Sequence, residues 1–527
     1  MSETRILTAA QMRWADGQTI EAGISASELM DRAGKALAAA VLEQMPDYGR
    51  IVIITGSGNN GGDGFAAAHY LRARRLPVTI VSLVPVAELN DVCTTYAQRA
   101  RAAGAKIRQA CGDDGIDELN RWLLRAVLVV DAIFGIGLNR AVSPLMVEVI
   151  NRMNQTDRPV LSVDIASGLC ADTGAVLGAA VQAECTLPIA ASKWGHWLAE
   201  GRDYTGQLLN VADIGISEAV IEASWQHSCA EMHDGFCVHS TCLIHDRFLT
   251  QAWPERSRLT HKGSYGHVAV FGGSVGHTGA PQLAGLGAYA AGAGLVSLIC
   301  PDDVWPVVAA GSLEVMCYPQ SSGSWQALWQ QSDAIVAGPG WGVDQAELLQ
   351  SLLSSDKPLL LDADALNMVA ADESLQQQLA GRYESSSAIT VMTPHPGEAA
   401  RLLGRSNDDI QRCRKECVLA LTTRYHCWVV LKGAETLVAS PAGDIYLNPF
   451  GSAQLAIAGS GDVLAGMIGA QLARAARMDN DGVGMLISAA VALHGKAGEC
   501  SGWYLAGELA KQVAVLRQHI ERAGTVA

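Results

Sequence analysis

The chain has 527 residues, more than one hydrophobic core usually accommodates, so at least two domains are expected. Hydrophobic residues make up 49% and charged residues 17% of it, which excludes a disordered protein and indicates a globular one. The formal net charge of −15 argues against a general nucleic-acid binder, and no run of about 18 apolar residues predicts a membrane span.

Residues 1–5 and the cysteines indicate the cellular compartment that the sequence predicts. Residues 1–5 lack the positively charged segment and apolar core of a signal peptide, so none is predicted. The 13 cysteines are scattered and form no C-x-x-C pair. Reduced thiols and a cytoplasmic location are therefore expected.

The first half begins with helices and then alternates strands with polar turns. Residues 8–45 have apolar side chains at helical spacing, with Thr8 as a possible cap, and are predicted to be helical. A buried strand, Ile51–Thr55, then leads into the glycine-rich loop Gly56–Gly64 and a helix, Phe65–Arg74. A strand, a glycine loop and a helix in this order form a geometry that holds phosphate groups.

The glycine-rich loop has unusual side chains. It is not a Walker A loop, because no Gly-Lys-Ser/Thr follows. Asn59, Asn60 and Asp63 bring amide and carboxylate oxygens, hard ligands suited to a group I or II cation or to sugar hydroxyls. Asn and Gly also favour turns for backbone reasons, which is the structural alternative.

Two further strands of this half end in polar residues. The predicted strand Val127–Asp131 ends in an acid, and the strand Pro159–Val163 is followed by Asp164 and Ser167. Because the carboxyl ends of parallel strands meet at one edge of a sheet, these loops are expected to line one ligand crevice. Lys193 is either a phosphate partner in that crevice or an ordinary solvated lysine.

These motifs resemble the YjeF N-terminal family, the NAD(P)H-hydrate epimerases, over residues 8–222. The matching blocks are Asn59–Asp63, Asp131–Gly135, Asp164–Gly168 and Asp213–Gly215. The resemblance implies a Rossmann-like, three-layer α/β/α domain. Ala166 stands where the family usually has proline, which removes a rigid backbone constraint but no functional group.

The resemblance also implies the site residues of this half. Potassium would be held by Asn60, Asp131 and Ser167, and we assign the acid and base role at C6 of the nicotinamide ring to Asp164. The residues implied to contact the hydrated nucleotide are Asn59, Asn60, Gly61, Gly62, Asp63, Gly135, Ile136, Gly137, Leu138, Asn139, Arg140, Ala141 and Asp164.

The second half alternates strands with helices again and predicts a mostly parallel sheet covered on both faces. The pattern loosens between residues 216 and 245, so we place a domain boundary within 225–240 and expect domains over 1–225 and 235–527. The predicted strands that end in polar or glycine-rich loops are His267–Phe271, Ala334–Ala337, Pro358–Leu361, Ile389–Met392 and Trp428–Leu431.

The stretch 448–470 carries the clearest chemistry of the second half. A glycine-rich turn, Gly459–Gly461, runs into an apolar helix with Asp462 in its first turn. Backbone N–H groups and the helix dipole would hold a phosphoryl group there, and Asp462 would accept a proton from a hydroxyl. That combination suits phosphoryl transfer to an alcohol. The alternative is an ordinary helix-capping aspartate after a glycine loop.

This half resembles the ribokinase-like superfamily and, within it, the NAD(P)H-hydrate dehydratases, over residues 245–515. The matching blocks are Gly338–Gly342, Asp362–Asn367, Thr393–Glu398, Leu431–Ala434 and Gly459–Asp462. The segment Gly451–Ala453 departs from the family's commoner Gly-Asn-Pro or Gly-Asn-Ala. The residues implied to contact the hydrate are Ala280, Gly342, His395 and Asp462, and those implied to contact the adenine nucleotide are Lys432, Gly433, Ala434, Glu435, Thr436 and Gly461.

Together the two resemblances imply a nicotinamide-nucleotide repair enzyme. One domain would interconvert the C6 epimers of NADHX and NADPHX, and the other would dehydrate one epimer with ADP as co-substrate and Mg²⁺ on the nucleotide phosphates. By family analogy the chain is expected to form a homo-oligomer, with neither nucleic acid nor membrane as a partner. Two alternatives remain open at this point: a ribokinase-like kinase for a vitamin precursor, and a non-catalytic first half like the related domain of an mRNA-decapping scaffold.

Overall fold

The computed structural model describes residues 5–111, 115–231, 238–386, 388–477 and 482–523. The chain divides into two compact units, Met1–Glu231 (unit 1) and Met232–Ala527 (unit 2). Part of the segment predicted to hold the boundary, residues 232–237, lies outside the described residues, so the boundary itself stays a prediction. Within the described ranges, none of the helices combines the length and apolarity that crossing a bilayer requires.

Among the described residues, unit 1 contains nine strands and eight α-helices. In chain order they are β1 (Ile6–Leu7), α1 (Ala9–Glu21), α2 (Ala26–Gln44), β2 (Arg50–Thr55), α3 (Asn59–Ala73), β3 (Val78–Ser82), α4 (Asp91–Ala102), β4 (Lys106–Gln109), α5 (Gly115–Leu123), β5 (Ala126–Ala132), α6 (Pro144–Asn154), β6 (Val160–Val163), β7 (Cys185–Leu187), β8 (Ser192–Lys193), α7 (Gly201–Thr205), β9 (Gln207–Leu208) and α8 (Glu218–Glu231).

Seven strands of unit 1 form one parallel sheet in the order β4-β3-β2-β5-β6-β7-β9. Alternate residues of β2 face opposite sides, as the period of a strand requires. Ile51 and Ile53 pack with α2 and α3, whereas Val52 and Ile54 pack with α5 and α6. Helices therefore cover both faces, and the predicted Rossmann-like three-layer arrangement is confirmed. The strand order changes direction at β2 and β5, where such sheets open a crevice.

The structure differs from the sequence prediction at the start of α3. The helix begins at Asn59, not at Phe65, so the second half of the predicted glycine loop is helical. The glycines are tolerated because the helix packs closely: a β-carbon on Gly61 would lie 2.3 Å from the Gly56 oxygen, and one on Gly62 would lie 2.3 Å from the Met30 side chain. Close approach here outweighs the low helix propensity of glycine.

Residues 8–45 form two helices instead of one. α1 begins at a capping box formed by Thr8 and Gln11, as the possible cap at Thr8 suggested. The chain then turns through Gly23, which has a φ of +110°, and α2 starts after its N-cap, Ser25. A positive φ strongly favours glycine, so the break lies where the sequence supplies one.

Unit 2 contains the following elements in chain order: β10 (Ser240–Leu243), α9 (Asp246–Ala252), β11 (His267–Phe271), α10 (Gly279–Ala290), β12 (Leu295–Cys300), α11 (Trp305–Gly311), β13 (Met316–Pro319), α12 (Ser324–Gln331), β14 (Ala334–Ala337), α13 (Ala346–Leu353), β15 (Leu359–Leu361), α14 (Ala363–Ala371), α15 (Glu373–Ser386), β16 (Thr390–Met392), α16 (Pro396–Leu403), α17 (Asn407–Arg412), α18 (Arg414–Tyr425), β17 (Trp428–Leu431), β18 (Leu437–Ala439), β19 (Asp444–Leu447), α19 (Ser460–Ala475), α20 (Val483–Glu499) and α21 (Ala506–Ala523).

A ten-stranded sheet organises unit 2, in the order β10-β19-β18-β17-β16-β15-β14-β11-β12-β13. Every pairing is parallel except those of β18, which runs antiparallel to β17 and β19. The prediction of a mostly parallel sheet is therefore confirmed. The carboxyl ends of β14, β15, β16 and β17 share one edge, and α19 packs beside them against α10, β11, β14 and β15. This edge is where the predicted polar loops of unit 2 meet.

Candidate active sites

Unit 1 has a cavity of about 1010 Å³ at the carboxyl edge of its sheet. The turns after β2, β5 and β6 form its wall, and α1 contributes Met12, Arg13 and Asp16. All the residues implied to contact the nucleotide lie on this wall except Gly61 and Gly62, which are buried inside α3. The structure thus brings the residues that follow three separate strands into one concave site, as expected for the switch point of an open sheet.

A buried ion pair stands on this wall. The Lys193 ammonium group is fully buried and donates to the Asp164 carboxylate, to the Ile189 carbonyl at 2.7 Å and to the Ala191 carbonyl at 2.9 Å. The Ile189 N–H also donates to the Asp164 carboxylate, at 3.1 Å. Asp164 has a φ of +67°, an uncommon conformation for a residue other than glycine. The sequence left the role of Lys193 open, and the structure makes it the cation that neutralises Asp164.

His196 holds the backbone of this ion pair in place. Its Nδ1 atom accepts from the Lys193 N–H at 3.1 Å, so the ring proton is on Nε2, which donates to the Asp164 carbonyl at 2.7 Å. Burial and the nearby Lys193 charge lower the pKa of His196 to about 4. The ring is therefore neutral at physiological pH and fixes the positions of both charged residues.

Asp16 and Asp63 face the same cavity as Asp164. Burial raises the pKa of Asp16 to about 6, Lys193 opposes that shift and the Asp164 charge adds to it. Burial, followed by the charges of Asp164 and Asp16, raises the pKa of Asp63 well above its ordinary value. Sequence reasoning missed Asp16, since nothing in the helical pattern of α1 distinguishes an acid aimed at a distant site from a solvated one.

The three residues implied to hold potassium lie together beneath the cavity. Asp131 is fully buried and accepts at both oxygens: from the Ser167 hydroxyl at 2.5 Å, the Ser162 hydroxyl at 2.8 Å, and the N–H groups of Ser167 and Ile133. The Phe134 carbonyl accepts from Asn60 Nδ2 at 3.0 Å, and its oxygen lies 3.2 Å from Ser167 Oγ. Asn60, Ser167 and the Phe134 carbonyl therefore converge.

The chemistry of this group fits a monovalent cation. Its donors are neutral oxygens of an amide, a hydroxyl and a carbonyl, backed by a buried carboxylate, and hard cations take such oxygen ligands. Burial raises the pKa of Asp131, while its hydrogen bonds with Ser167 and Ser162 oppose that shift. A cation beside these oxygens would favour the ionised carboxylate.

The site of unit 2 lies at the start of α19. Gly459 precedes the helix with a φ of +93°, and Asp462 falls in the first turn, where the sequence placed it. A β-carbon on Gly461 would lie 3.5 Å from the Lys432 ammonium nitrogen, so this cation sits beside the free N–H groups of the helix. A glycine turn, a helix N-terminus and a lysine together form a site for a phosphoryl group.

Three carboxyl groups act on Lys432, those of Asp362, Glu398 and Asp462. Its ammonium donates to Asp362 at 2.6 Å and lies 3.9 Å from Glu398, and Asp364 is a further acid whose charge acts on Asp462. Burial and the charge of Asp362 raise the pKa of Asp462 to about 7, although Lys432 opposes the shift. Burial alone would lower the pKa of Lys432, but Asp362 and Glu398 raise it, so the lysine is a firmly charged partner.

His395 lies at the N-terminus of α16, as part of a reciprocal cap. Its Nδ1 atom accepts from the Gly397 N–H at 3.0 Å, so its proton is on Nε2, which faces Glu398 at 3.3 Å. Burial and the Lys432 charge lower the pKa of His395, whereas burial raises the pKa of Glu398 to about 7. The sequence singled out His395 but not Glu398 or Asp362, whose importance comes from their contacts with Lys432.

The other predicted residues of unit 2 lie around the same edge. The Gly342 N–H donates to Asp364 at 2.8 Å, and a β-carbon on Gly340 would lie 2.9 Å from Ala280. The turn after β17 begins with Lys432 and Gly433, continues through Ala434 and Glu435, and is closed by Thr436, whose hydroxyl donates to the Gly433 carbonyl at 2.9 Å. Buried Arg414 supports this turn by donating to the Leu431 and Lys432 carbonyls.

The donor set of this edge fits magnesium when phosphates complete it. Mg²⁺ takes oxygen ligands and is usually held by one or two carboxylates together with substrate phosphates and water. Asp364 is one of the acids of this edge that form no ion pair within the described residues, and it is a candidate ligand for such an ion. No group of three or more His, Cys, Asp or Glu side chains in the described ranges is arranged to hold a metal by itself.

Comparison with known proteins identifies both halves. Residues 26–195 match the family described as YjeF-related protein N-terminus, and residues 268–511 match the family described as NAD(P)H-hydrate dehydratase. The chain is 29% identical to a dehydratase from Bacillus subtilis, described as ADP/ATP-dependent and co-crystallised with ATP and Mg²⁺. That comparison covers 53% of this chain and 98% of the other, with a TM-score of 0.45.

Full-length relatives combine the same two halves. The chain is 35% identical to a bifunctional NAD(P)H-hydrate repair enzyme of Moorella thermoacetica, over 94% of this chain and 92% of the relative. It is 34% identical to the enzyme of the same name from Escherichia coli K12, over 85% of this chain and 81% of the relative. Both predicted resemblances are thereby confirmed, and the chain belongs to the family of bifunctional NAD(P)H-hydrate repair enzymes.

Proposed function

We propose that this chain repairs hydrated nicotinamide nucleotides in two steps. Unit 1 interconverts the R and S epimers at C6 of NADHX and NADPHX. Unit 2 removes water from the S epimer with ADP as co-substrate, giving the reduced nucleotide, AMP and phosphate. The observation that carries this proposal is that one chain holds two acid–base sites, and that the acid of the second, Asp462, lies against a phosphoryl cradle.

Asp462 begins the chemistry of unit 2. Hydroxide is a poor leaving group, and phosphorylation of the C6 hydroxyl converts it into a good one. Asp462 accepts the hydroxyl proton as the oxygen attacks the terminal phosphoryl group of ADP. With a pKa of about 7 it is present as a base near neutral pH. The N–H groups at the start of α19 and the Lys432 ammonium stabilise the transferring charge.

The ring nitrogen of the phosphorylated hydrate then drives the dehydration. The lone pair of the ring nitrogen expels phosphate by breaking the C6–O bond, and loss of a proton from C5 restores the C5–C6 double bond. A magnesium ion, when bound with the nucleotide beside Asp364, would neutralise phosphate charge. The preference for ADP over ATP belongs to this proposal and is supported by the family resemblance, not by any one contact.

Asp164 is the acid and base of unit 1. Epimerisation requires the C6 hydroxyl to leave as water, assisted by the ring nitrogen, and water to return to the opposite face. Asp164, held by Lys193, is placed to take the proton from the returning water. Asp16, with a pKa of about 6, lies on the same wall and is a suitable proton donor. Potassium, bound by Asn60, Ser167 and the Phe134 carbonyl with Asp131 behind them, would supply positive charge next to the nucleotide.

The proposal also covers the cellular location, oligomeric state and partners of the enzyme. We place it in the cytoplasm as a homo-oligomer that engages neither nucleic acid nor membrane. The net charge of −15 and the free cysteines of the described residues support this setting. The comparisons favour the repair function over both alternatives, the vitamin-precursor kinase and the non-catalytic first half.

The direct test follows absorbance in the band of the reduced nicotinamide ring. Purified protein receives a mixture of NADHX epimers with Mg²⁺, K⁺ and ADP, and a parallel sample receives ATP. Recovery of the band from both epimers, with release of phosphate, is the expected result. Recovery of the S fraction alone would overturn the role of unit 1. A stable phosphorylated product without recovery would favour the kinase alternative.

A further inference from the structure

Helix α20 carries a buried histidine that the proposed mechanism does not use. His494 is 8% exposed and lies in the second half of that helix. Its Nε2 atom lies 3.0 Å from the Ser460 carbonyl oxygen, in the first turn of α19. A carbonyl oxygen only accepts, so the ring proton is on Nε2 and the ring donates to Ser460.

The ring is neutral where it makes this bond. Burial lowers the pKa of His494 to about 4, the bond to Ser460 opposes that shift, and the Lys432 charge adds to it. His494 is therefore uncharged near neutral pH, so it is neither a counter-ion for phosphate nor a proton donor to the substrate. Its contribution to the site is one N–H group, which the packing of α20 holds in place.

The bond reaches the part of α19 that forms the phosphoryl cradle. The Val463 N–H donates to the Gly459 carbonyl at 3.1 Å and so begins the hydrogen bonding of the helix. The N–H groups of Gly461 and Asp462, just before it, have no backbone acceptor among the described residues. The first N–H groups of a helix are available to an anion in this way. These two groups are the donors that the cradle offers to a phosphoryl group.

His494 fixes the direction in which these donors point. The peptide between Ser460 and Gly461 is planar and trans, so its C=O and N–H groups point in opposite directions. When His494 holds the carbonyl, the Gly461 N–H is held pointing out of the start of the helix. A hydrogen bond to the carbonyl also polarises the peptide, which strengthens its N–H group as a donor.

Helix α20 also holds the loop that leads into the cradle. The Ser452 hydroxyl donates to the Gly498 carbonyl at 2.7 Å, and the Gly451 N–H donates to a carboxylate at the end of the same helix at 2.8 Å. With the bond from His494 to Ser460, α20 fixes this segment at both ends. The cradle is therefore positioned by α20 as well as by its own helix.

We propose that His494 is a positioning residue for phosphoryl transfer, an inference that rests on the proposed dehydratase function of unit 2. Its hydrogen bond to the Ser460 carbonyl aims the Gly461 and Asp462 N–H groups at the terminal phosphoryl group of the nucleotide. Loss of the bond should therefore weaken the recognition of ADP more than that of AMP, which lacks the group that is transferred.

The test compares the binding of ADP and AMP to the full chain by isothermal titration calorimetry with Mg²⁺. The unmodified chain is expected to bind ADP more tightly than AMP. His494→Leu removes the donor and should lower the ratio of the two affinities about tenfold, the effect of a weakened hydrogen bond to a charged group. His494→Gln, whose amide N–H reaches the same carbonyl, should retain most of the ratio.

His267→Leu is the matched control. His267 is also buried, at 6% exposure, and its Nε2 atom shares a hydrogen bond with the Ser297 hydroxyl at 2.9 Å. It lies at the start of β11, whereas the cradle lies at the carboxyl edge of the sheet. Its replacement removes a comparable buried bond, so it should lower the melting temperature of unit 2 as His494→Leu does and leave the affinity ratio unchanged.

The rate of dehydration gives a second measurement. Because the N–H groups of the cradle meet charge that develops on the transferring phosphoryl group, kcat should fall about tenfold or more in His494→Leu. The KM for the hydrate should change little, since the lost interaction is made in the transition state. His494→Gln should recover most of kcat, and His267→Leu should keep it.

Two results would overturn the positioning role. An affinity ratio that is unchanged in His494→Leu, or that His267→Leu lowers equally, would make His494 a packing residue. If His494→Leu does not fold, His494→Asn takes its place, because its amide is too short to reach the carbonyl. Failure of the dehydratase function is distinct from both results: the unmodified chain would then bind ADP no more tightly than AMP and would release no phosphate from the hydrate mixture.

Discussion

Two lysines, the buried Lys193 of unit 1 and the partly buried Lys432 of unit 2, hold the acids that the proposed chemistry requires. Lys193 pairs with Asp164 itself, the proposed catalytic group of unit 1, whereas Lys432 pairs with Asp362, and Asp462 makes no close ion pair with any described residue. A carboxylate paired with a buried cation stays ionised, while an unpaired one among other acids has a raised pKa. The difference suits the two proposed reactions, because Asp462 exchanges a proton near neutral pH, whereas Lys193 holds Asp164 in a fixed position beside the substrate.

The pair in unit 1 leads to a stability prediction. Lys193→Met leaves the Asp164 carboxylate without its cation in a buried site, and removal of one partner of such a pair costs about 3–5 kcal/mol. We expect a loss near the lower end of that range, because Asp164 can respond by protonation. The double variant Lys193→Met/Asp164→Asn should recover part of it. The free energy of unfolding of unit 1 in urea measures both, and equal losses in the single and double variants would contradict the assigned pairing.

The raised pKa of Asp462 leads to a pH prediction. A general base is active when deprotonated, and the deprotonated fraction rises as pH increases through about 7. The kcat/KM of dehydration should therefore fall about tenfold for each pH unit below that value and level off above it. Asp462→Asn should lower the rate by about 100-fold or more.

The pH profile has its control in Asp409→Asn. Asp409 is an exposed acid of α17, paired with Arg412, and its replacement should preserve both the rate and the profile. A flat profile in the unmodified chain between pH 5 and pH 8 would be inconsistent with Asp462 as the base.

At the scale of elements, α19 unites the proposed phosphoryl cradle, Asp462 and the core of unit 2. Its N-terminus forms the cradle, and its middle packs so closely on α10 that a β-carbon on Gly466 would lie 1.8 Å from the Ala284 carbonyl oxygen. Gly466 is therefore required by packing, although glycine is a poor helix former. The position of Asp462 depends on this contact, because a shift of the helix would move its first turn.

The close contact of α19 leads to a paired prediction. Gly466→Ala should destabilise unit 2 by about 1–3 kcal/mol through overpacking and should also lower the rate of dehydration. Gly381→Ala is the matched control: Gly381 is exposed within α15 with nothing within 4 Å of the added carbon, so alanine should stabilise unit 2 by about 0.5–1 kcal/mol. Thermal unfolding measures both. Equal effects of the two variants would show that helix propensity, not packing, governs these sites.

The sequence predicted the parts of each site that follow strands. Asp131 and Asp164 lie at the carboxyl edge of the unit 1 sheet and Lys432 lies at that of the unit 2 sheet, because the carboxyl ends of parallel strands in one sheet must meet. Asp16 was missed because it comes from α1, whose register against the cavity depends on tertiary packing that a helical pattern does not encode. Glu398 was missed as a partner of Lys432 for the same reason. The sequence predicted that α3 begins at Phe65, six residues after its actual start at Asn59. A run of glycines is typical of a loop, and the close contacts that favour glycine in this helix are visible only in the structure.

At the scale of the whole molecule, each unit has its own sheet and its own buried core. Among the residues that the structure describes, the large cavity is lined by residues of unit 1, up to Ile214, and the cluster around Lys432 consists of residues of unit 2. A change at one site should therefore leave the other folded and active. The two reactions need only a shared pool of substrate to act in sequence.

This independence predicts complementation between chains. Asp164→Asn should dehydrate the S epimer and then stop, while Asp462→Asn should interconvert the epimers without recovering absorbance. An equimolar mixture of the two variants should recover the reduced-nicotinamide band from both epimers, because the hydrate released by one chain reaches the other through solution. Heat-inactivated Asp462→Asn serves as the control, and its addition should leave recovery at the S fraction. If the live mixture also stops at the S fraction, although each variant keeps its own activity, the hydrate must pass between sites of the same chain without release.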